Sequence, residues 1–182
     1  MHVRGHSWGK SLAGDASSGQ ANPLRLGLIG AGFIGKVHAG CIAQNHRARL
    51  AGVFDVNRAA AEAAAQGEAK IAKTADQLIE DPAVDAVIIA SSTDTHGELA
   101  RKAIAQGKAF LCEKPLDRTL ASAVETVRRA QASGVLAGMA FNRRFDRQHA
   151  LLRRAVVEGE VGDIEMMHLT SRSQSPPDMD YA

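Results

Sequence analysis

Residues 86–90 read AVIIA, with no polar side chain toward either face. A strand that is wet on one side alternates apolar and polar residues, so a strand without alternation has to be covered on both sides. The same character recurs in LRLGLIG (24–30), ARLAGVFD (48–55) and AFLCEKP (109–115). Between these runs lie helix-like segments: FIGKVHAGCIAQNH, Ala-rich NRAAAEAAAQG, a helix opening after Thr74, HGELARKAIAQGK and LASAVETVRRAQASG. Gly67, Gly107 and Gly134 stand where these helices should stop. KIA supplies one further short strand and VLAGMAF the last. Alternation with short connections is the βαβ grammar of an α/β chain, a doubly wound parallel sheet with helices on both faces.

The pattern runs from Leu24 to Asn142. Residues 1–23 are rich in Gly, Ser and Ala, lack the apolar core of a secretory signal and are expected to be a disordered leader. His2 and His6 lie there and are read as incidental. After Phe141, NRRFDRQHALLRRAVVEGEVG reads as a basic amphipathic helix and a turn, and DIEMMHLTSRS as a half-exposed strand. A single such strand needs partners. Residues 143–182 are therefore expected to be the truncated start of a second, α+β domain. Composition agrees with a globular chain: 182 residues, 45% hydrophobic and 23% charged. A net charge of +2 argues against a nucleic-acid surface, and no apolar run is long enough for a membrane span. Cys41 and Cys112 both fall in apolar elements, which predicts buried, reduced thiols in a cytoplasmic protein.

LIGAGFIG sets Gly30, Gly32 and Gly35 in G-x-G-x-x-G spacing between a strand and a helix, with Phe33 and Ile34 inside the motif. The first glycine permits a tight turn, the second lets the backbone approach a pyrophosphate, and the third lets helix and strand pack closely. The helix N-terminus offers free N–H groups and a positive dipole to phosphate. Asp55 closes the next strand about 20 residues on, where a carboxylate can accept the ribose hydroxyls of adenosine. It would repel a 2′-phosphate, so NAD is favoured over NADP, while Arg58 nearby keeps dual use open. The motif thus predicts a Rossmann-type dinucleotide site.

In such a sheet, ligands bind outside the carboxyl ends of the strands. Gly30, Asp55, Ser91, Ser92, Glu113, Lys114 and Asn142 all fall at such ends. Pro115 stops its strand and leaves Lys114 at the crevice where a nicotinamide would lie. A lysine there can exchange protons with a hydroxyl being oxidised. The plainer reading is a Glu113–Lys114 surface pair. His38, Cys41 and His46 have a loosely metal-like spacing but are better read as core or solvated residues of one helix. Arg143, Arg144, Arg147, Arg153 and Arg154 are followed by Glu158, Glu160 and Asp163, which suits a solvated helix face better than a nucleic-acid stripe.

GLIGAGFIGKVHA, FDVN, DAVIIASSTDTHGELARKAIAQGKAFLCEKPLD, GMAFNRRFD and GDIEMMHLTSR followed by PP together resemble the Gfo/Idh/MocA oxidoreductase family, and within it the myo-inositol 2-dehydrogenases. The resemblance implies an NAD-dependent oxidoreductase that oxidises a ring hydroxyl of a polyol or sugar. It matches Lys114 to the catalytic lysine. Ser91, Ser92, Thr93 and His96 match the loop lining the nicotinamide, and Asn142 and Arg143 match positions near cofactor and substrate. For His96, a packing or capping role is the alternative. Ser92 stands where the wider family commonly has proline.

The family also uses an Asp-x-x-x-His element, and no histidine here has aspartate four residues before it. The 182 residues are thus expected to be an inactive N-terminal portion, with homo-oligomerisation assigned to the rest of the second domain. The alternative is a non-catalytic NAD-binding module or sensor.

Overall fold

A computed structural model describes residues 22–172. Residues 1–21 of the expected leader and the closing SQSPPDMDYA lie outside the described residues. The chain divides between Ala140 and Phe141 into two compact units.

The first unit runs β1 (Leu24–Ile29), α1 (Phe33–Ala43), β2 (Ala48–Phe54), α2 (Arg58–Ala65), β3 (Lys70–Ile71), α3 (Ala75–Glu80), β4 (Ala86–Ile89), α4 (Thr93–Ala105), β5 (Ala109–Cys112), α5 (Leu120–Ser133) and β6 (Ala137–Met139). All strand pairs are parallel, in the order β3-β2-β1-β4-β5-β6. The order reverses direction between β1 and β4, so the connecting loops part there and open a crevice at the carboxyl ends.

Burial on both faces explains the unalternating strands. Leu28, Val53 and Ile88 pack with Ala39, Ile42, Ala61 and Ala64 of α1 and α2. Their neighbours Ile29, Val87 and Ile89 point the other way, onto Leu78, Ile79, Leu99, Ala103 and Ile104 of α3 and α4. The alanines of α2 let that helix lie close to the sheet. α3 opens after Thr74 as expected, and the side chains of Asn57, Thr74 and Thr119 cap their helices by accepting from the backbone N–H groups of Ala60, Gln77 and Ser122. Gly134 ends α5 in the left-handed conformation, whereas α2 turns left-handed already at Gln66, one residue before Gly67.

Two expectations are corrected. Cys41 is exposed, because α1 buries Gly35, Ala39 and Ile42 and residue 41 lies off that face; only Cys112 is buried. In the second unit, residues 163–172 form no strand and are exposed, because no neighbouring strand is present among the described residues to pair with them. That unit otherwise contains a 3-10 turn, Asn142–Arg144, and α6 (Arg147–Val157), capped by Asp146. Its arginines are exposed. No helix among the described residues is long and apolar enough to cross a membrane.

Candidate dinucleotide site

The phosphate loop is shaped by three glycines with different reasons to be glycine. Gly30 has φ +96°, and a side chain there would run into the Ala90 carbonyl at the end of β4. At Gly35 a Cβ would collide with the Gly30 carbonyl oxygen. Gly32 caps α1 with φ −68°, and a Cβ there would meet nothing within 4 Å. The protein itself has no need of glycine at Gly32, so the open space before it fits a ligand backbone lying against the loop. Phe33 is 86% exposed at the same rim, while Ile34 turns inward onto the α1–α2 core.

Asp55, just past β2, faces this loop. Its Oδ2 accepts from the Ala31 N–H at 2.6 Å and its Oδ1 from the Asn57 N–H at 2.7 Å. Each carboxylate oxygen keeps a further lone pair for a ribose hydroxyl. Arg58 is turned along its own helix to Glu62, at 2.8 Å.

At the end of β4, Ser91 Oγ lies 2.6 Å from Thr95 Oγ1, which donates to the Ser92 carbonyl at 2.8 Å. Ser92 is the N-cap residue of α4 and Thr93 its first residue. Asp94 is held below the usual carboxylate range, first by a hydrogen bond from Ser92. His96 is 2% exposed. Its Nδ1 is 2.7 Å from the Pro115 carbonyl oxygen and its Nε2 2.9 Å from that of Ser91. A neutral imidazole donates to one of these and a protonated one to both. Either way the ring is turned into the protein and links the Ser91 loop to the Glu113–Lys114–Pro115 corner.

That corner does not contain the surface ion pair weighed as the plainer reading. Glu113 is 9% exposed and pairs with His38, with no ion pair to the Lys114 ammonium among the described residues. Its Oε1 accepts from His38 Nε2 on α1 at 2.9 Å, and its Oε2 accepts from the Lys114 backbone N–H at 3.3 Å. The Lys114 side chain is exposed and makes no ion pair among the described residues; its bond to Pro115 is cis. Beneath, burial pushes the Cys112 thiol up to about 12, with the Glu113 carboxylate adding to the effect, so this sulfur is inert at neutral pH. The following turn is pinned by Asp117, whose Oδ2 accepts from Ser122 Oγ at 2.5 Å. That bond holds the Asp117 carboxyl below its ordinary range. Arg101 adds bonds to Ser122 and Thr126, and Gly97 leaves room for the Asp117 carboxylate.

The first unit thus brings Gly30, Gly32, Phe33, Gly35, Asp55, Ser91, Ser92, Thr93, Glu113 and Lys114 to the carboxyl edge of one sheet. Asn142 and Arg143 belong to the second unit, in its 3-10 turn. Sequence reasoning passed over the part played by His38. Its spacing from Gly35 and Ile42 marked the border of the buried face of α1, but its partner lies 75 residues away. Among the described residues, no cluster of three or more His, Cys, Asp or Glu is arranged to hold a metal ion.

A glycine loop opening a helix, an acid closing the next strand and a β3-β2-β1-β4-β5-β6 parallel sheet define a dinucleotide-binding Rossmann protein. The family profile described as an oxidoreductase family with an NAD-binding Rossmann fold matches residues 24–141, and the chain belongs to that Gfo/Idh/MocA family. It is 39% identical over 158 residues to an inositol 2-dehydrogenase of Rhizobium meliloti, covering 87% of this chain and 48% of that protein. It is 38% identical over 160 residues to a myo-inositol 2-dehydrogenase of Thermotoga maritima, with the same coverage. A solved scyllo-inositol dehydrogenase from Lactobacillus casei, with bound NAD(H) and scyllo-inositol, superposes with a TM-score of 0.73 at 27% identity. That match covers 78% of this chain and 43% of the other. The chain spans about half the length of the curated relatives it matches.

Proposed function

We propose that these residues form the cofactor half of a dehydrogenase that oxidises a ring hydroxyl of a polyol or sugar, with inositol as the first substrate to try. The observation that carries the reading is Lys114. Its strand ends on the same edge as the phosphate loop, two places along the sheet from β1, and its ammonium is exposed and unpaired among the described residues. Inositol dehydrogenase relatives at 38–39% identity support the substrate class.

In this reading the Gly30–Gly35 loop and the α1 N-terminus hold the pyrophosphate, and Asp55 takes the adenosine ribose. Ser91, Ser92, Thr93 and Glu113 border the nicotinamide end, and His96 braces that border from inside. The family resemblance assigns Asn142 and Arg143 to positions near cofactor and substrate. NAD bound at these residues would supply the acceptor for the hydride of the ring carbon. Lys114 Nζ holds the substrate oxygen and stabilises it as it becomes a carbonyl. The hydroxyl proton passes to a histidine of the Asp-x-x-x-His type, which no position of the 182 residues provides. The chain alone is therefore expected to bind cofactor without turnover.

The test is Lys114→Met in the full-length protein, with myo-inositol as substrate. NADH affinity should stay near wild type, while turnover falls by roughly 10²–10³, the scale of losing one positioned donor to the reacting oxygen. Turnover at the wild-type rate would sink the assignment.

A further inference from the structure

We propose that His38 is a positioning residue: it fixes the Glu113 carboxylate, and through it the backbone at Lys114, from the helix that opens the phosphate loop. The proposal rests on the reading that this corner faces the nicotinamide end of the cofactor. A carboxylate as buried as Glu113 is retained only where partners replace its water. Two partners are present, one on each oxygen: His38 Nε2 at 2.9 Å and the Lys114 N–H at 3.3 Å. The imidazole is itself mostly buried, with its side chain 18% exposed, so neither group can readily turn to solvent instead.

The consequence is mechanical. His38 lies three residues beyond Gly35, on the first turns of α1, whose N-terminus receives the pyrophosphate. Glu113 lies at the end of β5, two strands away from β1 in the sheet. No ladder hydrogen bond joins β1 to β5 directly, because β4 stands between them. The His38–Glu113 bond bridges that gap, so the pyrophosphate end and the Lys114 corner are set in one frame. Without it the Glu113 carboxylate must find water by rotating outward, and the Lys114 amide loses its acceptor.

The experiment compares NADH with ADP, which keeps the adenosine and pyrophosphate but lacks the nicotinamide riboside. Binding of each to the 182-residue chain is measured by calorimetry for wild type, His38→Leu, His38→Ala and His38→Gln. Thermal melting is recorded for each variant. His38→Leu should weaken NADH by roughly tenfold, the scale of a lost hydrogen bond to a charged group, and leave ADP within about twofold. Glutamine can place an amide N–H near the position of Nε2, so His38→Gln should recover NADH binding to within about threefold of wild type. A purely packing role would favour leucine over glutamine, the opposite order.

NADH affinity unchanged in His38→Leu overturns the proposal, and so does a parallel loss of NADH and ADP. If His38→Leu fails to fold, His38→Ala removes the same donor and, set against His38→Gln, decides between these outcomes. Failure of the dehydrogenase reading would show separately, as wild-type turnover in Lys114→Met, and leaves the NADH-against-ADP contrast intact.

Discussion

Gly32 and Gly35 stand three residues apart in one motif, yet the fold needs only the second. A methyl group at Gly35 meets a backbone carbonyl, which cannot move without pulling β1 from α1. Gly35→Ala should therefore lower stability by about 1–3 kcal/mol, the scale of core overpacking, as read by urea denaturation. Gly32→Ala meets open space at a φ any residue adopts, so its stability should change by less than about 0.5 kcal/mol. Its NADH affinity should nevertheless fall tenfold or more (~1.4 kcal/mol) as the methyl enters the pyrophosphate cradle. Normal NADH binding in Gly32→Ala would remove the ligand explanation for that glycine. Both residues were legible in the sequence as members of a spacing, but their separate reasons were not. One reason is a contact within the protein and the other is space left for a partner. His38 was less legible still, because a histidine on a helix announces its face through periodicity and its partner only through the fold.

At the scale of elements, the most testable join is at the opposite edge of the sheet, where β1 and β4 begin. Arg25 donates to Asp85 through Nη2 at 2.6 Å, Nε at 3.1 Å and its backbone N–H at 2.7 Å. Arg25's side-chain hydrogen bond is the largest cause holding the Asp85 carboxyl at about 2, against an ordinary 3.8. A carboxyl lowered by folding contributes stability above its unfolded pKa, and that contribution is lost as pH falls through the folded value. The melting temperature of the chain should thus decline between about pH 4 and pH 2 in part through this group. Asp85→Asn should be less stable than wild type at neutral pH and show a shallower decline across that window. Parallel acid profiles for the two proteins would count against the pairing.

The elements of the first unit were readable because each carries its own signal: unalternating strands, Thr74 ahead of α3, and a glycine at the end of α5 that the structure holds left-handed. Residues 163–172 show the limit of that reading. Their alternation describes a half-covered strand, but a strand exists only when another chain segment accepts its hydrogen bonds, and none does among the described residues.

For the whole molecule, the 182 residues should bind NADH and leave myo-inositol unoxidised. Calorimetry with NADH, and a spectrophotometric assay for NADH formed from NAD and inositol, check the two halves of that expectation. Turnover by this chain would show that a group other than an Asp-x-x-x-His histidine takes the hydroxyl proton. The sequence by itself determined the parallel sheet, the glycine loop, the acid after β2 and the presence of a lysine at a strand end, because these depend on local periodicity and spacing. Tertiary structure alone decided that Glu113 turns inward to His38 and that both ring nitrogens of His96 face backbone carbonyls. It likewise decided that Lys114 is left with an unpaired ammonium among the described residues. The physical reason is that a buried polar group takes whichever partner the packed elements bring within about 3 Å, and that choice is not written in its neighbours along the chain.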